Sequence, residues 1–218
     1  MRRALVTAIL GCVALVWMGP SADASAAQHL FLPQSSPKGM TYSQWEGAYQ
    51  IWLNEIPLAR NPAAHPNSSE NCAVVQGAVF VGPNGSDCDM PAGYPVVVSG
   101  GFWECSTAEG LGDTWAELRQ CARDNFVQDF GRQSIRLTLR IDGQEVAHCR
   151  RWTFLSPGEI IVFPKHNLFG ATPGASKSVT RGFVWILRPL TPGDHDMQAH
   201  VKIVGGGALN FDWMMHAA

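Results

Sequence analysis

Residues 135–143 read Ile135-Arg136-Leu137-Thr138-Leu139-Arg140-Ile141-Asp142-Gly143. Four aliphatic residues alternate with Arg136, Thr138 and Arg140. Successive side chains of a strand point to opposite faces, so this pattern is a strand with one face in a core and the other in water. Asp142-Gly143 then supplies two residues that tolerate positive φ, the requirement of a two-residue hairpin turn, and the chain returns through 146–150. The segment predicts an antiparallel hairpin lying on an apolar core.

The same signal recurs on both sides. Residues 73–81 are rich in valine and end at the turn Gly82-Pro83-Asn84-Gly85, and 94–99 carry three consecutive valines. Further strands read out at 152–155, 159–163, 182–187, 196–204 and 208–213. Short strands parted by Gly/Pro turns about every ten residues define a mainly β chain, a β-sandwich or jelly-roll-like domain. Two helices interrupt it, at about 43–55 and 114–126. In the first, Ser43 and Glu46 have capping-box spacing, and Trp45, Ala48, Tyr49, Trp52, Leu53 and Ile56 share one face before Pro57 stops it. In the second, Thr114 and Glu117 repeat the box, with Trp115, Leu118, Ala122 and Phe126 at helical spacing.

The start of the chain has the three parts of a secretory signal: Arg2-Arg3, an apolar stretch from Ala4 to Met18, and small residues through Ala24 and Ala26. The expected organisation is a signal peptide over 1–26, an extended, flexible Pro/Ser-rich leader over 27–40, and one β-sandwich-like domain over 41–218. The apolar stretch falls short of the roughly 20 residues of a spanning helix, so no transmembrane segment is expected after cleavage. Ile9-Leu10-Gly11-Cys12 is a poor copy of a lipoprotein box, and lipid anchoring at Cys12 is not favoured. Loss of Arg2, Arg3 and Asp23 takes the formal charge from -2 to -3. A near-neutral chain with no basic cluster is a poor partner for nucleic acid or anionic lipid. The expected location is secreted, periplasmic or the cell envelope.

Cleavage leaves Cys72, Cys88, Cys105, Cys121 and Cys149. In an oxidising compartment these pair, and the odd count leaves one over. Sequence does not fix the connectivity; Cys72 with Cys88 and Cys105 with Cys121 is the economical choice, with Cys149 as the free thiol. No C-x-x-C spacing suggests zinc, and neither a metal nor a cofactor is expected. Two sequons, at Asn67 and Asn84, matter only where the host glycosylates exported proteins.

Several short motifs run through the domain: Tyr42-x-x-Trp45 leading to Trp52, Ile56-Pro57, Asn61-Pro62, and Cys72 followed by Gln76-Gly77-x-Val79-Phe80. Then come Cys88, Pro91-Ala92-Gly93, Glu104-Cys105-Ser106, Asp142-Gly143 and Pro189-Leu190-Thr191-Pro192-Gly193-Asp194-His195. On these the chain resembles a group of uncharacterised secreted bacterial β-proteins with a Trp-rich N-terminal helix and a PLxPGxH hairpin. The last stretch also looks like the hairpin turn of many extracellular Ig-like sandwiches. The resemblance implies export and β architecture, and brings with it no catalytic residue.

Candidate chemistry is sparse. Glu104, Glu109 and Asp113 lie between a strand end and a helix, and paired carboxylates are what glycoside hydrolysis uses. The densest histidine cluster is Asp194-His195-Asp196 with His200, but 195 and 200 face opposite sides of a strand. Val97 takes the place of the first glycine of a G-x-S-x-G elbow at Ser99, and Ser35-x-x-Lys38 lies in the Pro-rich leader without a helix. Seven tryptophans remain after cleavage. Most must be core, with Trp103 and Trp152 the candidate sugar platforms. The leading expectation is a non-catalytic secreted or cell-envelope binding module, its partner an extracellular glycan or envelope component. The second is a carbohydrate hydrolase using Glu104 with Asp113, or His195; the third is a structural envelope protein.

Overall fold

The computed structural model describes residues 28–83, 85, 87–131, 137–148, 150–205 and 207–218. The signal peptide, Cys12, Cys149, Asn84 and the start of the 135–141 alternation lie outside these residues. The chain is mainly β, with two sheets and two long helices. Helix α1 is Tyr42–Glu55 and helix α2 is Trp115–Phe130. The strands are β1 Ala73–Val75, β2 Ala78–Val81, β3 Asp87–Met90, β4 Val96–Ser106, β5 Leu137–Ile141 and β6 Gln144–His148. They continue with β7 Thr153–Leu155, β8 Glu159–Phe163, β9 Gly174–Leu187, β10 Gly193–Lys202 and β11 Ala208–Ala217.

The first sheet runs β1-β2-β4-β9-β7, with β8 paired to the start of β9; the second runs β3-β11-β10-β5-β6. Most neighbours are antiparallel, but β2 with β4 and β3 with β11 are parallel. The two sheets differ in burial for a physical reason. In the first, all of β2 and the stretch 182–187 of β9 are buried, because both faces are covered. Phe80 of β2 meets Trp45, Tyr49 and Trp52 of α1 at ring separations of 5.9, 5.8 and 5.6 Å. Phe183 of β9 packs on Phe126 and Phe130 of α2 at 5.0 and 5.3 Å. In the second sheet β10 and β11 alternate buried and exposed residues, so one face stays in water. One contiguous core joins both sheets, and Trp213 of β11 donates its indole N–H to Gly82 O at 2.9 Å.

Cys72–Cys88 and Cys105–Cys121 are the disulfides, with Cα separations of 5.6 and 6.2 Å. The first ties the approach to β1 in one sheet to β3 in the other; the second ties β4 to α2.

Several expectations are corrected. Residues 28–40 are not a loose leader. Leu30 is wholly buried and bridges Leu187, Phe31 N–H donates to Ile186 O at 2.9 Å, and Arg188 N–H donates to His29 O at 2.8 Å. Polarity of composition hid a segment whose backbone pairs with β9. The capping box of α1 sits two residues earlier than expected: Thr41 N–H donates to Gln44 Oε1 at 2.8 Å, and Gln44 N–H to Thr41 Oγ1 at 3.3 Å. This frees Glu46 to point inward. The segment 73–81 is two strands, because Gln76 and Gly77 both adopt positive φ, 51° and 78°, and close a hairpin. Helix α2 runs four residues beyond Phe126, to Phe130, where Gly131 caps it. Asp142-Gly143 makes the expected turn, with φ of 51° and 75°.

Candidate functional site

Glu104 lies near the end of β4, opposite Thr180 of β9, and is almost wholly buried. Its Oε1 accepts a hydrogen bond from Ser178. Glu109 comes from the loop after β4. It is half-buried, and its Oε2 accepts from Ser106 Oγ at 2.8 Å. That loop is fastened to β9: Thr107 Oγ1 and Ser176 Oγ lie 2.8 Å apart, and Ala108 N–H donates to Ser176 Oγ at 2.9 Å. Burial first, and then the neighbouring Glu109 carboxylate, push the Glu104 carboxyl up to about 9. Near neutral pH Glu104 is therefore a protonated acid beside Glu109.

This pair is not the one expected. Asp113 is exposed at the head of α2, where its N–H donates to Glu117 Oε2 at 2.9 Å and its carbonyl accepts from Lys177 Nζ at 3.0 Å. Glu109, and not Asp113, reaches Glu104. Glu104 Oε2 is buried without a hydrogen-bond partner, so Glu109 acts on it by proximity and charge.

His195 opens β10. Its Nδ1 is 2.8 Å from Asp142 Oδ2 in the β5–β6 turn, and its Nε2 is 2.9 Å from the Thr191 carbonyl. Asp142 Oδ1 accepts from Asp196 N–H at 3.0 Å. Desolvation acts to lower the pKa of His195, but the hydrogen bonds to Asp142 and Thr191 and the charges of Asp142 and Asp194 outweigh it and hold the ring up. With an acceptor at each ring nitrogen, the protonated ring is the form this site favours, clamped between Asp142 and Thr191. A cavity of about 290 Å³ adjoins it, lined by His29, Asp142, Arg188, Leu190 and Thr191.

Trp152 is fully buried, packed against a tilted Tyr42 ring with the Arg151 guanidinium over its face, and offers no face to a sugar. The half-buried Trp103 donates its indole N–H to Asp129 Oδ2 at 2.9 Å, pinning α2 to β4. His200 and His195 do lie on opposite faces of β10. The partner of Asp194 is instead His216 of β11, its Nδ1 at 2.7 Å.

Sequence reading missed a different feature, on the solvated face of the second sheet. Register places Arg140, Gln198 and Asp212 in one row across β5, β10 and β11, and Thr138, His200 and Asn210 in the next. The six line an open trough of about 400 Å³. His200 Nδ1 lies 2.6 Å from Asn210 Oδ1. With Nδ1 donating there, the Asn210 amide N–H groups and His200 Nε2 are left for a ligand, one set donating and the other accepting. Alternation alone marks each residue as outward-facing. Only the register of three strands puts them side by side.

No protein family matches the chain, and no curated protein matches it. Among solved structures, a match to the solution structure of amebosin is 6% identical, covers 65% of this chain and 96% of that one, and has a TM-score of 0.24. Superposition at that level carries no argument about fold or function.

Proposed function

We propose that this is an exported, non-catalytic binding module, and that the solvated face of its second sheet engages a hydrophilic extracellular ligand, a glycan or another envelope component. The observation that carries this reading is the two-row grid of Arg140, Gln198, Asp212, Thr138, His200 and Asn210 around one open trough. Its groups are a guanidinium, a carboxylate, two amides, a hydroxyl and an imidazole, the mixture that hydrogen-bonds vicinal hydroxyls and acetamido groups. The scaffold is suited to holding them: a ladder of three paired strands fixes their spacing. Two disulfides fit an oxidising compartment, and no helix among the described residues is long and apolar enough to cross a membrane.

The test is calorimetric titration of the mature protein with envelope polysaccharides from the producing cell. A saturable heat that weakens at least tenfold in Arg140→Ala and Gln198→Ala, with melting unchanged, is the expected result. Binding that ignores both substitutions would remove the reading. A hydrolase reading has one feature in its favour, the buried Glu104 carboxyl, pushed up to about 9 with Glu109 beside it. Turnover of a glycan by the mature protein, abolished in Glu104→Gln, would establish it.

A further inference from the structure

Helix α1 is buried nearly all round: ten of its fourteen residues are covered, including Glu46, Gln50 and Asn54. These three recur every fourth residue and so form one polar stripe. Asn54 Nδ2 donates to Gln50 Oε1 at 3.3 Å, and Gln50 Nε2 donates to Glu46 Oε1 at 3.2 Å. The ladder thus ends on a carboxyl group whose other oxygen, Oε2, is buried and has no hydrogen-bond partner.

The surroundings of that carboxyl can be named element by element. From β9 it meets Gly182, where a Cβ would lie 2.6 Å from Glu46 Oε1, so only glycine leaves room. From β4 it adjoins Phe102, paired with Gly182, and the next titratable group along that strand is Glu104, paired with Thr180. Glu159 of β8 packs against Gly47, one residue along the helix. Strand β7, Thr153–Leu155, carries no charge. On its own helix, the Tyr49 hydroxyl donates to Val81 O at 2.8 Å. Arg181, next to Gly182, sits over Phe126, and the charges of Arg151 and Arg188 act on Tyr42, one turn earlier. The groups that face Glu46 are therefore neutral or acidic. An ionised carboxylate there would be a buried charge without a compensating cation.

We propose that Glu46 is a proton latch: α1 stays seated on the first sheet while the Glu46 carboxyl carries its proton, and loss of that proton releases the helix. Burial raises its pKa to about 8, and the smaller opposing effect is the Gln50 hydrogen bond. Free of the sheet, the group titrates near 4.5. The seated state is thus fully favoured below 4.5 and loses ground as pH rises through the window to about 8. Within that window the ratio of seated to released helix falls by up to about tenfold per pH unit. A latch of this sign keeps the molecule closed in acid and loosens it in alkali.

Hydrogen exchange of the full mature protein between about pH 5 and about pH 9, corrected for intrinsic rates, reads this directly. The expected result is that protection of α1 amides falls relative to those of β10 and β11 in the wild type. It should stay level in Glu46→Gln, and fall as in the wild type in Glu104→Gln. Level protection of α1 in the wild type, or an unchanged fall in Glu46→Gln, would overturn the proposal. Should Glu46→Gln fail to fold, infrared spectra of Glu104→Gln serve instead. A protonated-carboxyl band present at neutral pH and lost in step with α1 protection supports the latch; its absence at neutral pH overturns it.

Discussion

His195 sets Nδ1 against the Asp142 carboxylate and Nε2 against the Thr191 carbonyl, so its charged form ties the β5–β6 turn to the entrance of β10. The folded pKa lies above the ordinary 6.5. Its contribution is fully present below 6.5 and is lost as pH rises through the raised value. His195→Gln should therefore cost about 1 kcal/mol in mild acid and less in mild alkali, read as denaturant midpoints across pH. A cost that does not change with pH would mean that the ring acts by shape alone. Glu104 shows the same sign by a different route. Its carboxyl titrates near 4.5 when unfolded and at about 9 in place, so the stability it gives at low pH is lost across that interval. Glu104→Gln should flatten the alkaline decline in melting temperature. A decline as steep as in the wild type would contradict the burial of a proton on Glu104.

At the scale of elements, the start of α1 makes a sharp comparison. Thr41→Ala removes the observed cap and should cost about 1 kcal/mol, whereas Ser43→Ala, the cap that spacing alone suggests, should cost almost nothing. Equal losses in chemical denaturation would mean that the helix begins elsewhere. Gly77, at φ 78° in the β1–β2 turn, should lose about 1 kcal/mol on replacement by alanine. What could be read beforehand follows from which forces are local. Alternation between 137 and 141, the Asp142-Gly143 turn and the aromatic stripe of α1 all express local geometry, and each is found. The Gln76-Gly77 turn is hidden because valine and alanine on both sides read as one strand. The parallel pairings of β2 with β4 and of β3 with β11 depend on contacts distant in sequence, which no local pattern carries. The trough is illegible for the same reason: Arg140, Gln198 and Asp212 are neighbours only through register.

Across the whole molecule, the first sheet is the inner layer, covered by α1 and by the side that carries α2 and the second sheet. The disulfides hold this assembly at two seams. Each joins cysteines 16 residues apart, and removing the Cys105–Cys121 pair as a double serine variant should cost about 3 kcal/mol by loop entropy. Denaturation showing a negligible loss would mean that α2 is held by packing on Phe183 and Trp103 alone. The layering also leaves the outward face of β5, β10 and β11 as a hydrophilic surface in water, the face proposed to bind the ligand. The most direct measurement is a chemical-shift titration of the isotope-labelled mature protein with envelope polysaccharide fragments. Saturable shifts concentrated at Thr138, Arg140, Gln198, His200, Asn210 and Asp212 are the expected result. Shifts gathered instead around Glu104 and Glu109, or accompanied by breakdown of the fragments, would contradict it.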